Sequence, residues 1–139
     1  MRLGRWHRGL VLAAMIGVGL SGLLWFGLHD VMAAEPGPLL HALLVAHGVA
    51  AYAAAIGFGS LLPQHVPIGW RQPRNRVTGI VAVVAMALLI GSALLLYYGG
   101  EETQAWAQLV HLAVGLASIL VIGVHVVSGR RLRGTRAGR

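Results

Sequence analysis

Cysteine and lysine are both absent from the 139-residue chain, and only four residues are acidic. Without cysteine the chain forms no disulfide, no thiolate metal site and no covalently attached c-type haem. Charged residues make up 11% of the sequence and hydrophobic residues 57%, with a mean hydropathy of +0.74. A soluble domain contains about 25% charged residues. The composition therefore predicts an integral membrane protein in contact with lipid.

Four apolar segments are each long enough to cross a bilayer, which requires a helix of about 20 residues. They cover roughly residues 9–28, 38–62, 77–98 and 105–128. The short connections between them favour antiparallel neighbours. We therefore expect an all-α fold in which residues 1–139 form a single domain, an integral membrane four-helix bundle.

The basic residues indicate how this bundle is oriented. All eleven are arginines, and they precede the first segment, separate the second from the third, or follow the fourth. The four acids, Asp30, Glu35, Glu101 and Glu102, occupy the opposite connections. Because basic residues concentrate on the cytoplasmic side, both termini are predicted to be cytoplasmic. We expect residues 1–33 to be retained as a membrane helix, since their apolar run exceeds the roughly 7–15 residues of a signal peptide.

Several functional classes receive no support from the sequence. The net charge of +7 follows from the membrane topology, and no soluble basic domain is present, so nucleic-acid binding is not expected. No P-loop, dinucleotide fingerprint or hydrolase nucleophile motif occurs, and no acidic residue lies within an apolar segment. No internal repeat is evident. The seven histidines remain as candidate functional residues.

Four histidines fall at two matching depths. His111 and His125 are fourteen residues apart in the fourth segment, about four helical turns, and therefore share a face. His47 in the second segment matches the depth of His111, and His7 matches that of His125. Titratable groups inside a span are costly and usually functional. Two cross-helix imidazole pairs suit the axial ligation of haem iron.

Alternatives stay open for each histidine. His41 and His65 are alternative ligands, with His41 as the second choice of partner for His111. A histidine in a membrane helix also commonly forms only a hydrogen bond between helices. Haem propionates favour cationic donors. The inner level has Arg5, Arg8, Arg130 and Arg131 nearby, whereas the outer side has no basic residue.

Three histidine-containing stretches resemble those of one group of membrane proteins. A basic residue and a histidine beside an aromatic open RWHRGLVLAAMIGVGLSGLLW (5–25), and one histidine lies in LLVAHGVAAY (43–52). Two histidines at the fourteen-residue spacing bound HLAVGLASILVIGVH (111–125). Together with residues 74–102, these stretches resemble the bacterial cytochrome b561 class and the related cytochrome b subunits of nickel hydrogenases and formate dehydrogenases.

This resemblance implies a b-type cytochrome of the bacterial inner membrane. His7 and His125 would hold an inner haem b, and His47 and His111 an outer one, with a single haem as the alternative. The protein would pass electrons between a quinone pool and a redox partner protein. It would act as an electron-transfer protein or oxidoreductase subunit of a larger complex rather than as a stand-alone enzyme.

Two other functional classes remain as alternatives. The first is a haem-free structural or assembly subunit of a membrane complex. The second is a metal-handling or transport protein that uses an outer-face site of His29, Asp30, Glu35 and His41, whose nitrogen and oxygen ligands suit zinc or copper.

Overall fold

The computed structural model describes residues 4–71 and 73–137, and within these ranges the side chains other than those of residues 5, 64, 73–75 and 130–137. The described chain is helical and contains no strand. Its elements are α1 (Arg5–Phe26), a π-helical turn (Gly27–Val31), α2 (Pro38–Trp70), α3 (Pro73–Tyr98) and α4 (Glu101–Ala137).

Each long helix contains a stretch that is long and apolar enough to cross a membrane. These stretches are Trp6–Val31, Pro38–Pro63, Arg76–Tyr98 and Glu101–Gly129. A helix is suited to hydrocarbon because it pairs its own backbone polar groups. The predicted all-α membrane fold with four spans is confirmed, and the protein is a multi-pass membrane protein whose helices contact lipid. Helices α2 and α4 continue past the predicted segments, to Trp70 and Ala137.

Local interactions explain where the helices end. After α1 the π-helical turn ends with Met32 N–H donating to the Gly27 carbonyl at 3.0 Å, and Ala33 has a φ of 49°. Pro38 then begins α2, a first-turn position where its missing N–H has no intrahelical partner to lose. A Cβ on Gly99, where α3 gives way to α4, would lie 2.5 Å from the Leu95 carbonyl oxygen. The connection between α3 and α4 therefore requires glycine at this position.

The chain divides into two compact units, Met1–Val66 and Pro67–Arg139. The first unit contains the hairpin of α1 and α2, and the second contains the hairpin of α3 and α4. We refer to them as the first and second hairpins. The expectation of a single domain stays a prediction.

Small residues let the two helices of the first hairpin approach closely. A Cβ on Gly57 would lie 3.0 Å from Val11 Cγ2, and one on Gly17 would lie 3.6 Å from the Ala50 Cβ. Ala54 is buried in the same helix. Small residues at membrane helix interfaces favour this close packing, because dispersion and polar contacts replace the hydrophobic effect there.

We expect Gly57→Leu to destabilise the first hairpin, because its side chain would enter the space of Val11. Overpacking of this kind costs about 1–3 kcal/mol. Gly59→Leu is the matched control, since a Cβ at Gly59 meets no atom within 4 Å. The measurement is thermal unfolding of the purified protein in detergent, followed by circular dichroism. Equal melting temperatures for the two variants would contradict this account of the interface.

Candidate functional site

The four histidines predicted as ligands differ from the other three in their surroundings. His7, His47, His111 and His125 are partly buried, whereas His29, His41 and His65 are exposed. Each of the four forms a hydrogen bond to a serine or threonine hydroxyl on the other helix of its own hairpin. The pairs are His7 with Ser60, His47 with Ser21, His111 with Ser92 and His125 with Thr78.

His47 is held through its Nδ1 atom by α1. Nδ1 lies 3.0 Å from the Val18 carbonyl oxygen and 3.3 Å from Ser21 Oγ. A carbonyl oxygen only accepts, so Nδ1 bears the proton and the lone pair of the neutral ring is on Nε2. A Cβ on Gly22 would lie 2.9 Å from His47 Cε1. Glycine at this position therefore makes room for the imidazole against α1.

His111 is held through the same nitrogen by α3. Its Nδ1 atom lies 2.9 Å from Ser92 Oγ. Ser92 donates its hydroxyl proton to the Leu89 carbonyl at 3.1 Å, so its oxygen accepts from the imidazole N–H. The resulting tautomer is the same as that of His47, with the lone pair on Nε2. Both serines are buried.

The two pairs at the predicted inner level are His125 with Thr78 and His7 with Ser60. In each hairpin the pair lies near the end of the spans opposite to the pair that contains His47 or His111. His125 Nδ1 lies 3.1 Å from Thr78 Oγ1, and a Cβ on Gly79 would lie 3.5 Å from His125 Cε1. His7 uses the other nitrogen: its Nε2 atom lies 2.7 Å from Ser60 Oγ, which donates to the Gly57 carbonyl at 2.6 Å. The hydroxyl contact is therefore at Nε2 in His7, whereas it is at Nδ1 in the other three predicted ligands.

The two hairpins place these groups in corresponding positions. Ser21 and Ser92 are 71 residues apart and occupy the matching stretches AMIGVGLSGLL (14–24) and AMALLIGSALL (85–95). His47 and His111 are 64 residues apart, and the buried Ala54 and Ser118 share that offset. The offsets differ because the first hairpin has a longer connection. A serine on the first helix thus contacts a histidine on the second helix in both hairpins.

At the predicted inner level the two hairpins correspond only in part. His7 corresponds to Thr78 at the 71-residue offset, and Ser60 falls one residue short of the counterpart of His125. In the first hairpin the inner histidine is on the first helix, and in the second hairpin it is on the second helix. The outer level is therefore the one at which the two hairpins carry the same residues at matching positions.

The alternative ligands lie away from these contacts. His41 precedes His47 by six residues, which turns it by about 120° to another face of α2, where it is exposed. His65 is exposed on α2 beyond the apolar span. Among the arginines predicted to bind propionates, Arg8 is exposed. The side chains of Arg5, Arg130 and Arg131 lie outside those described.

The predicted outer-face metal site is not assembled within residues 4–71 and 73–137. No group of three or more histidine, cysteine, aspartate or glutamate side chains that could hold a metal ion occurs there. His29 instead bonds Asp30 through Nδ1 at 3.0 Å, and its ring stacks on Trp25 with centroids 4.3 Å apart. The structure therefore gives this alternative no support.

The hydroxyl partners were not identified from the sequence. Serine and threonine are common in membrane helices, so Ser21, Ser60, Thr78 and Ser92 have no distinctive neighbours. A usable signal was their spacing, because His7 and Ser21, Thr78 and Ser92, and His111 and His125 are all fourteen residues apart. The pairing of His47 with His111 and of His7 with His125 joins different hairpins and stays a prediction.

Comparison with known proteins identifies no relative. No protein-family model, no curated protein and no solved structure matches the chain.

We expect the paired residues of the second hairpin to be energetically coupled. Double-mutant cycles to alanine should give about 0.6–1.7 kcal/mol for Ser92 with His111 and for Thr78 with His125, as for other hydrogen bonds between membrane helices. The crossed cycles, Thr78 with His111 and Ser92 with His125, should be additive because those residues lie near opposite ends of the spans. Denaturant unfolding in mixed micelles provides the measurement. Equal coupling in all four cycles would contradict the assigned contacts.

Proposed function

We propose that the protein is a b-type cytochrome, an electron-transfer protein whose histidines ligate haem iron in pairs. The axial ligands are His47 and His111 for an outer haem, and His7 and His125 for an inner one. The observation that supports the proposal most strongly is that the four histidines predicted to lie at matching depths are partly buried and contact hydroxyl groups, whereas the other three are exposed.

The tautomers support this role at the outer level. Metal-bound histidines usually donate one ring N–H to an oxygen and ligate through the other nitrogen. His47 and His111 have this arrangement, with Nδ1 bonded to oxygen and the lone pair on Nε2. Small residues beside the rings, such as Gly22 and Gly79, bring the helix backbone against the imidazoles. The rings are thereby fixed before any ligand binds.

The surrounding chain suits electron transfer rather than substrate chemistry. Haem b supplies a one-electron iron couple, and two axial imidazoles leave no position for a substrate at the metal. The acidic residues within the spans, Asp30, Glu101 and Glu102, all lie within two residues of a span end. The apolar helices shield the site from water, while the hydroxyl contacts hold each ring in place. The proposed electron-transfer partners are a quinone pool and a redox partner protein, within a bacterial inner membrane.

One alternative is favoured by the same contacts. Hydrogen bonds from histidine to hydroxyl groups stabilise membrane helix pairs without any cofactor. A haem-free structural or assembly subunit would use all four pairs in this way. The presence of haem separates the two functions.

We expect the full-length protein, purified from haem-competent cells, to be red, with a Soret band that shifts on reduction. His47→Ala and His111→Ala should each abolish the outer haem, because each removes one of its axial ligands. His41→Ala is the matched control, since this exposed histidine lies in the same helix as His47. The measurements are the absorption spectrum and the haem-to-protein ratio.

Two results would contradict this proposal. A colourless preparation would refute haem binding and favour the structural subunit. An unchanged haem-to-protein ratio in both His47→Ala and His111→Ala would refute the assigned outer ligands, since loss of the outer haem must lower that ratio. Loss of haem in His41→Ala alone would assign the outer ligand to the alternative histidine.

We also propose that both termini are cytoplasmic. Alkaline phosphatase, which is active only outside the cytoplasm, should be active when inserted in the connections at residues 33–37 or 99–100. It should be inactive at the C-terminus, where a fluorescent protein should instead mature. Phosphatase activity at the C-terminus would reverse the predicted orientation, which follows from the placement of all eleven arginines.

A further inference from the structure

We propose that Ser21 and Ser92 are equivalent positioning residues that orient His47 and His111 and increase the electron donation of their imidazoles to iron. This inference rests on the proposed function, because it assigns a role to residues behind the axial ligands. It adds two residues that were not among the candidate ligands, and it predicts that they act in the same direction.

Their positions in the fold are equivalent. Both serines lie in the matching stretches of α1 and α3, 71 residues apart. Both are among the most buried polar residues described, with exposed fractions of 8% for Ser21 and 5% for Ser92. Each contacts the Nδ1 atom of the histidine on the following helix.

The direction of each hydrogen bond follows from the hydroxyl proton. Ser21 donates it to the Gly17 carbonyl at 2.7 Å, and Ser92 donates it to the Leu89 carbonyl at 3.1 Å. A serine in a helix commonly bonds a carbonyl of the preceding turn in this way. Each Oγ atom then presents a lone pair to the ring. The His111 imidazole therefore donates its Nδ1 proton to Ser92, whereas the Nδ1 proton of His47 is shared between the Val18 carbonyl oxygen at 3.0 Å and Ser21 Oγ at 3.3 Å.

This direction has a chemical consequence for a metal bound at Nε2. Donation from Nδ1–H to an oxygen makes the ring a more basic ligand. A more basic imidazole stabilises ferric iron relative to ferrous iron and lowers the reduction potential. Removal of the acceptor should raise the potential and weaken haem binding. Substitution of such hydrogen-bond partners typically lowers metal affinity about 10–100-fold.

The experiment compares Ser21→Ala and Ser92→Ala with Ser118→Ala in the purified full-length protein. Ser118 is a matched control because it is also buried, at 7% exposed, and its hydroxyl donates to the Gly115 carbonyl. Redox titration and the electron paramagnetic resonance spectrum of the oxidised haem are the readouts. The relevant haem is the one that His111→Ala abolishes.

We expect the ratio of oxidised to reduced haem at a fixed potential to fall about tenfold in Ser92→Ala, equivalent to a rise of about 59 mV for one electron. The shift should have the same direction but be smaller in Ser21→Ala, because the Val18 carbonyl still accepts the His47 Nδ1 proton. The resonance spectrum should change with it, because ring orientation changes. Ser21→Thr and Ser92→Thr should restore the wild-type values, since each keeps the hydroxyl. Ser118→Ala should match the wild type.

The outcomes distinguish this inference from the proposed function. Absence of haem in the wild type would refute both. Haem with wild-type potential and spectrum in Ser21→Ala and Ser92→Ala would overturn the positioning role and leave the cytochrome proposal intact. Equal shifts in Ser118→Ala would also overturn it. If an alanine variant does not accumulate, Ser92→Cys replaces it, because a thiol is a weak hydrogen-bond acceptor. An unchanged reduction potential in that variant would also overturn the positioning role.

Discussion

An imidazole N–H inside hydrocarbon must have a partner within the protein, because no water is available to accept its hydrogen bond. In each hairpin this requirement is met twice, about fourteen residues or 21 Å apart along the helices. A shift of one residue along a helix turns its side chains by about 100° and would break both contacts. The paired histidines and hydroxyl groups therefore determine the register of helices that otherwise present mainly small apolar residues to each other.

The same hydrogen bonds are compatible with a second role for the rings. An imidazole has two nitrogens, and an interhelical bond at Nδ1 places the lone pair of the neutral ring on Nε2. His47 and His111 can thus join two helices and ligate a metal at once. His7 differs, because its hydroxyl contact is at Nε2 and ligation through that atom would require the Ser60 contact to be given up. A ligand role would compete with the Ser60 contact at His7 but not with the Nδ1 contacts of His47 and His111.

The length, number and helical nature of the spans could be predicted from the sequence, because they depend on apolar runs that a bilayer requires. It could also be predicted that His47 and His41 lie on different faces of α2, since they are six residues apart. The hydroxyl partners could not be predicted, because the choice of Ser21 over another serine depends on how α1 and α2 pack around Gly22 and Gly57. The nitrogen that His7 uses depends on that same register.

Charge and ring geometry favour different levels of the two predicted haems. In the sequence all eleven arginines flank the spans on the predicted cytoplasmic side, which would favour haem propionates at the inner level. Ring geometry instead favours the outer level, where His47 and His111 occupy matching positions with the same tautomer. Iron ligation depends directly on the two imidazoles, whereas exposed cations contribute modest, screened attraction to propionates. For the proposed cytochrome we therefore infer that a version with a single haem would use His47 and His111.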